Sequence, residues 1–297
     1  MGLSMYYAKY GGTERSYVPS KPPGDQMDIT LLGPLNADKD GAPVLPSAAK
    51  MRQILALLAL HANRVVPVST IMEELWGYNP PRTGSTTLQT YILRLRRLID
   101  ASVRGRCNAK EILVYRHGGY CLIAPTDCVD VLEYDRLAAV GQRLFDTGED
   151  EAAVKVYTEA LDLWRGPALA DIRCGAVLEI ERVRLEESRL GVLERRIDAE
   201  LYLGRHAELL TELVVLTARQ PLHEGLHAQH MIALYRSGRP SEALATFTKL
   251  RHRLVEDLGL DPSPRLQRLQ RAILGGDLLL DHPQRGPGRR VLDMFAA

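Results

Sequence analysis

Cysteine is scarce in this chain, and what there is stands apart. Cys107, Cys121, Cys128 and Cys174 are separated by 14, 7 and 46 residues, with no C-x-x-C pair and no histidines at metal-finger spacing. That pattern excludes a zinc ribbon, and the four are expected to be reduced thiols in a cytosolic protein. Long apolar runs are lacking too. The longest, Ile54 to Leu60, falls far short of the roughly 20 residues that a bilayer requires, so no membrane partner is expected. The N-terminus is polar and tyrosine-rich, without the charged-then-apolar order of a secretory signal. No G-x-x-x-x-G-K-[ST] phosphate loop and no serine elbow occur, so NTPase and hydrolase chemistry have no support. His223, His227 and His230 fall at i, i+4 and i+7, but no carboxylate or cysteine is placed to complete a metal site. No cofactor is expected.

Net charge is nearly absent as well, at +1 over 297 residues. The balance hides a division. Residues 1–125 hold 15 Lys+Arg against 9 Asp+Glu, and the remainder 23 against 28. A basic half joined to an acidic half suggests a nucleic-acid module followed by a protein-contacting one. The chain is long enough for two domains.

The basic half is organised around residues 84–100, GSTTLQTYILRLRRLID. As a helix this stretch places Leu88, Ile92, Leu95 and Ile99 on one apolar stripe. Gln89, Thr90, Leu93, Arg94, Arg96 and Arg97 lie on or beside the outer side. That side offers guanidiniums to phosphates or guanine edges, and amide and hydroxyl groups to other acceptors, as a DNA recognition helix does. Arg94 and Arg97 share a face and are the leading candidates for DNA contact. Arg96 lies about 100° round from its neighbours, which suits a phosphate-backbone contact or a pairing with Asp100. Thr86, Thr87, Gln89 and Thr90 occupy the first turns, which reach deepest into a groove; Thr86 and Gln89 fit a local capping box equally well. Lys50, Arg52, Arg64 and Arg82 flank helix ends and are candidate phosphate holders.

The neighbouring segments supply the rest of a domain. Residues 1–26 lack periodicity and read as a flexible arm. Short apolar pieces from Met27 to Leu45, around the turn signal at Asp38 to Gly41, predict a small antiparallel sheet. Ser47 is the expected N-cap of a helix over residues 48–62, apolar on nearly all sides and hence central. A second helix is expected from Ser69 or Thr70, with Thr70 and Glu73 as a capping box, carrying Ile71, Met72, Leu75 and Trp76 inward and ending at Gly77. Asn79, Pro80 and Pro81 then force a turn before the cationic helix. Residues 112–123 predict two strands around a hairpin at Gly118 and Gly119. This is a wing, whose tip residues Arg116 and His117 either reach DNA or merely close the core.

From Asp130 onward the pattern is helical. Gly148, Gly204 and Gly238 each precede a helix, with Ala153/Tyr157, Leu209/Leu213 and Ala243/Phe247 five and nine positions later. Gly204 to Gly238 spans 34 residues, the tetratricopeptide period, while Gly148 to Gly204 spans 56. The excess implies an insertion of about 22 residues beginning near Trp164. Gly259 is placed to end one helix, and Ser263 and Pro264 to begin a last one packing Leu266, Leu269 and Ile273. Residues 276–297 read as a disordered tail.

The motifs KMRQILALL from Lys50, ELWG from Glu74, TLQTYILRLRRL from Thr87 and HGGY from His117 together resemble an OmpR-type winged helix. ALDLWRGPALAD from Ala160, GRHAELL from Gly204, ALYRSG from Ala233 and EDLGLDP from Glu256 are similar to the bacterial transcriptional activator domain. That order resembles the Streptomyces antibiotic regulatory protein family over residues 28–275. The resemblance implies a multidomain, mainly α fold with small β-sheets: a winged helix-turn-helix at 27–125, then an all-α tetratricopeptide-like repeat domain at 130–275. It implies a cytoplasmic transcriptional activator of a biosynthetic gene cluster, not an enzyme. Such a protein binds direct repeats in double-stranded promoter DNA, beside a second copy of itself, and recruits RNA polymerase. A repressor would share the same site, and a helical-repeat scaffold without specific DNA readout is the alternative of a different class. No phospho-accepting receiver is expected upstream, because 26 irregular residues cannot build one.

Overall fold

The computed structural model describes residues 27–39, 42–102, 109–277, 280 and 292–293. The expectations for the arm, for Cys107 and for most of the tail lie outside those residues. Of the tail read as disordered, Leu280 is buried in the core of the helical unit with its carbonyl accepting from Arg236 Nε at 2.6 Å, and Asp293 pairs with Arg265 at 2.8 Å. Strands β1 (Met27–Thr30), β2 (Asn36–Lys39) and β3 (Ala42–Pro43) form an antiparallel sheet in that order, with Ile29 opposite Ala37 and Asp38 opposite Pro43. Helix α1 (Ala49–Leu60) follows, then β4 (Val66–Pro67), α2 (Val68–Trp76), α3 (Gly84–Ser102) and the single turn α4 (Ala109–Ile112). Strands β5 (Leu113–Arg116) and β6 (Gly119–Leu122) complete a second sheet of order β4-β6-β5.

Two helix starts differ from expectation. Ala48 rather than Ser47 is the N-cap of α1, in extended conformation and with no side-chain cap among the described residues. Helix α2 begins at Val68, because Val66 and Pro67 pair with Tyr120 and Gly119 of β6 and Pro67 then serves as the N-cap. Thr70 therefore turns into the core instead of capping, and no capping box forms with Glu73. The central position of α1 is as its composition requires, with nine of its twelve residues buried.

The second half is helical throughout: α5 (Asp130–Thr147), α6 (Asp150–Asp162), α7 (Ala176–Tyr202), α8 (His206–Arg219), α9 (Glu224–Arg236), α10 (Pro240–Leu258) and α11 (Pro264–Gly275). Gly148, Gly204 and Gly238 all have positive φ and stand just before α6, α8 and α10. All six repeat positions named above are buried. Gly259 closes α10 in the left-handed conformation. Ser263 is the N-cap of α11, yet its hydroxyl and N–H both go to the Glu224 carboxylate rather than to the helix it opens.

The chain divides into two compact units. One holds the described residues up to Glu133 together with Trp164–Leu185; the other holds Tyr134–Leu163 and the described residues from Glu186. The segment that breaks the repeat period is thus the segment that joins the winged-helix unit. Its backbone is laced to the loop after β1: Arg165 and Leu169 donate N–H to the carbonyls of Leu32 and Leu31 at 2.8 and 3.0 Å, and Ala170 to Gly33 at 3.2 Å. The core of the second unit gathers Leu201, Leu213, Leu226, Met231, Phe247 and Leu269.

Cys121, Cys128 and Cys174 are free thiols. Burial pushes the Cys128 thiol up to about 12, helped by the carboxylates of Asp127 and Asp28. Since the thiolate is the nucleophile, Cys128 should stay unalkylated by iodoacetamide at pH 8 in the native protein and react fully in urea. Peptide mass spectrometry reads the difference, and rapid native labelling of Cys128 would contradict its burial.

Candidate nucleic-acid interface

Helix α3 starts where the chain escapes a rigid turn. Gly77 ends α2 at φ 61°, Asn79 to Pro81 bar further helix, and the Gly84 N–H bonds back to the Pro81 carbonyl at 2.8 Å. Gly84 itself lies so close to Met72 that a Cβ would stand 2.6 Å from the Met72 Cε. The stripe Leu88, Ile92, Leu95 and Ile99 is buried as its spacing predicts. Opposite it, Thr86, Gln89, Thr90, Leu93, Arg94 and Arg97 are exposed, and Thr87 is half-buried. Because the helix begins at Gly84, Thr86 sits inside the first turn and is not an N-cap. The hydroxyls of Thr87 and Thr90 donate to the carbonyls of Thr83 and Thr86 at 2.9 and 3.0 Å, a back-bonded state that fixes both rotamers. Among the described residues, Arg94 and Arg97 make no ion pair or hydrogen bond, so their guanidiniums are available to an outside anion.

Arg96 has a different occupation. Its Nε and Nη2 both donate to the Leu113 carbonyl, at 3.1 and 2.8 Å. The expected partner Asp100 instead accepts from the Ala109 N–H at 2.8 Å. Arg96 thus ties the first wing strand to α3, as a positioning residue. Arg96→Ala should cost about 1 to 2 kcal/mol, the worth of a charge-assisted pair of bonds on a half-buried carbonyl. Amide exchange at Leu113 to Arg116 should quicken; exchange rates unchanged from the native protein would refute that anchoring role.

The wing turns one residue earlier than expected. His117 and Gly118 are the two turn residues, at φ 51° and 72°, as a two-residue hairpin of the type I′ class demands. Gly119 belongs to β6 and is needed for another reason: a Cβ there would meet the Val66 carbonyl oxygen at 2.4 Å. Arg116 and His117 are exposed at the tip, with one Arg116 donor on the Cys121 sulfur at 3.7 Å.

Two other candidates are committed internally. Lys50 Nζ donates to the Leu75 carbonyl at 3.2 Å and lies 4.4 Å from the centroid of the half-buried Trp76 ring, and burial lowers its pKa, with Arg173 adding to the effect. Arg52 is ion-paired to Asp171. Arg64 and Arg82 are exposed.

Sequence reasoning gave no role to three carboxylates that hold this unit together. Glu74 of α2 accepts the N–H groups of Gly175, Val177 and Leu178 at 2.6, 3.0 and 2.9 Å, capping the start of α7 from about a hundred residues away. Burial raises its pKa, and those three N–H bonds oppose the rise. Asp171 accepts from the Leu35 N–H at 2.7 Å as well as pairing with Arg52. Asp130 accepts from Leu31 and Leu32 at 2.8 and 2.9 Å. No local sequence signal marks them, because their partners are backbone groups distant in sequence.

The chain matches the family described as transcriptional regulatory protein, C terminal, over residues 43–122, and the bacterial transcriptional activator domain over residues 129–274. It is 52% identical over 257 residues to the regulatory protein DnrI of Streptomyces peucetius, covering 86% of this chain and 94% of that one. The chain belongs to the Streptomyces antibiotic regulatory protein family. Among the family's further relatives, the transcriptional regulator RedD of Streptomyces coelicolor is 34% identical over 88% of this chain and 74% of its own length. The solved structure of Mycobacterium tuberculosis EmbR in complex with a low affinity phosphopeptide superposes with a TM-score of 0.81 at 30% identity, over 91% of this chain and 69% of that one. The activity of this family member is accordingly transcription regulation, in the activator class whose domain it carries. No helix among the described residues is long and apolar enough to cross a membrane.

Proposed function

We propose that this protein activates transcription of a biosynthetic gene cluster by laying α3 in the major groove of promoter DNA. The observation that carries this reading is the division of α3 into a buried apolar stripe and an opposite face where Arg94 and Arg97 stand uncommitted beside Gln89 and Thr90. Guanidiniums grip guanine edges or phosphates, and glutamine can make a bidentate pair with adenine. Thr86 and Thr87 lie in the same first turns, Arg82 in the preceding turn, and Arg116 and His117 at the wing tip, where phosphate or the minor groove is within their chemistry. Lys50, Arg52 and Arg96 belong to the scaffold of this interface and support it indirectly.

One winged helix covers only part of a helical turn of DNA, so tandem copies on direct repeats supply affinity and a spacing rule. The helical unit is then the surface that holds a neighbouring copy and RNA polymerase, as helix-pair repeats suit protein partners. Footprinting on promoters of the gene's own cluster tests the reading. Protection repeated at about 10 to 11 base pairs, together with polymerase-dependent transcription raised by the protein, is the expected result. Binding no tighter to those promoters than to random duplex at about 150 mM salt would overturn it.

A further inference from the structure

We propose that the α3 face reads thymine 5-methyl groups, and that Leu93 is the residue that touches them. The inference rests on the placement of α3 in the major groove and names the base edge that its centre fits. Thr86, Thr90, Leu93 and Arg97 stand at i, i+4, i+7 and i+11, so they form a single ridge along the helix. That ridge runs opposite the buried ridge of Leu88, Ile92, Leu95 and Ile99. Leu93 is 49% exposed, whereas the four apolar residues of the buried ridge are at most 2% exposed. A leucine at the middle of the exposed ridge therefore stands outside the core of its own domain.

Its neighbours sharpen the chemistry. Thr90 directs its hydroxyl proton to the Thr86 carbonyl, so it has no proton left to donate outward, and this exposed residue stands one turn before Leu93 on the same ridge with a methyl group to offer. Arg94 and Arg97 flank the pair with free guanidiniums. An apolar spot set between cations does not suit phosphate, which takes N–H and O–H donors. On the base-pair edges of the major groove, the 5-methyl of thymine is the apolar group. The matching site has one or two thymines under Leu93 and Thr90, with guanine edges or phosphates on either side for the arginines. Covering one methyl is worth about fourfold in affinity, from the transfer free energy of a methylene-sized group.

The test uses the full chain and the promoter fragment that it protects, made with thymine or with deoxyuridine throughout. Deoxyuridine pairs as thymine does and lacks the methyl. Native protein should bind the deoxyuridine duplex about fourfold or more weakly, Leu93→Ala should lose most of that discrimination, and Leu93→Met should retain it. Thr90→Ser, which keeps the hydroxyl and removes the γ-methyl, should lose a smaller part. Two results overturn the inference while leaving DNA binding intact. One is equal binding of both duplexes by native protein. The other is a preference for thymine that persists undiminished in Leu93→Ala, which would assign it to duplex shape. Failure to bind either duplex in preference to random DNA would overturn the groove-binding reading itself, and this inference with it.

Discussion

Arg94→Ala and Arg97→Ala together should weaken promoter binding by roughly 30-fold to 10⁴-fold, at about 1 to 3 kcal/mol per guanidinium. The range is wide because the two side chains need not do the same work. A guanidinium bidentate on guanine loses discrimination at one base position when removed, and leaves binding to other sequences little changed. One on phosphate loses affinity evenly across sequences, and the slope of log K against log salt falls by about 0.9 for each phosphate no longer neutralised. Single variants titrated at several salt concentrations against promoter and random duplex separate the two roles. Neither guanidinium has an internal partner among the described residues, and both side chains are exposed, so the folded state should not change. Any loss of affinity then belongs to the interface. Native affinity and salt slope in the double variant would remove this face of α3 from DNA binding.

Helix α3 was legible because its signal is periodic and local. Leu88, Ile92, Leu95 and Ile99 declare the inward side by spacing alone, and the outward side follows. The repeat glycines were legible for a related reason: Gly148, Gly204 and Gly238 supply positive φ at the turn before each following helix, and a chain that needs that backbone state repeatedly leaves a period behind. Even the residues that break the period, 22 by subtraction, correspond to Trp164–Leu185 in the winged-helix unit. What the sequence did not disclose is where polar side chains spend their bonds. Arg96 and Arg97 are adjacent in sequence and alike in type, yet one holds the Leu113 carbonyl and the other faces solvent.

The same limit explains Lys50 and Arg52. Both lie on the first turn of α1 and look like any cationic helix terminus. In the folded unit one covers Trp76 and caps a carbonyl at the end of α2, and the other meets Asp171 from a segment more than a hundred residues on. The cap position at Thr70 failed for a simpler reason. A competing backbone commitment, the pairing of Val66 and Pro67 with β6, fixed the start of α2 before any side chain could.

Asp130→Ala should destabilise the winged-helix unit by about 3 kcal/mol, lowering its melting temperature by about 10 °C. Asp130 is nearly buried, and its two oxygens accept the Leu31 and Leu32 N–H groups at 2.8 to 2.9 Å and the Arg165 guanidinium at 3.0 Å. Burial raises its pKa, while those N–H groups and Arg165 favour the charged form. Alanine leaves two backbone donors without an acceptor in a place water does not reach, and the cost of an unmade buried bond exceeds the worth of a made one. Arg165 is 42% exposed and can rehydrate, which keeps the figure below that of a fully buried pair. Asp130→Asn retains one acceptor oxygen but turns an amide donor toward the same N–H groups, so it should recover less than half of the loss. Gly33→Ala is an independent probe of the same splice, since Gly33 sits at φ 149° and a Cβ there would stand 3.1 Å from the Arg165 Cβ. The chain's two tryptophans, Trp76 and Trp164, both lie in this unit, so fluorescence follows its unfolding separately from the helical unit. A native fluorescence melt in both Asp130→Ala and Gly33→Ala would mean that the 164–171 segment does not brace the winged helix.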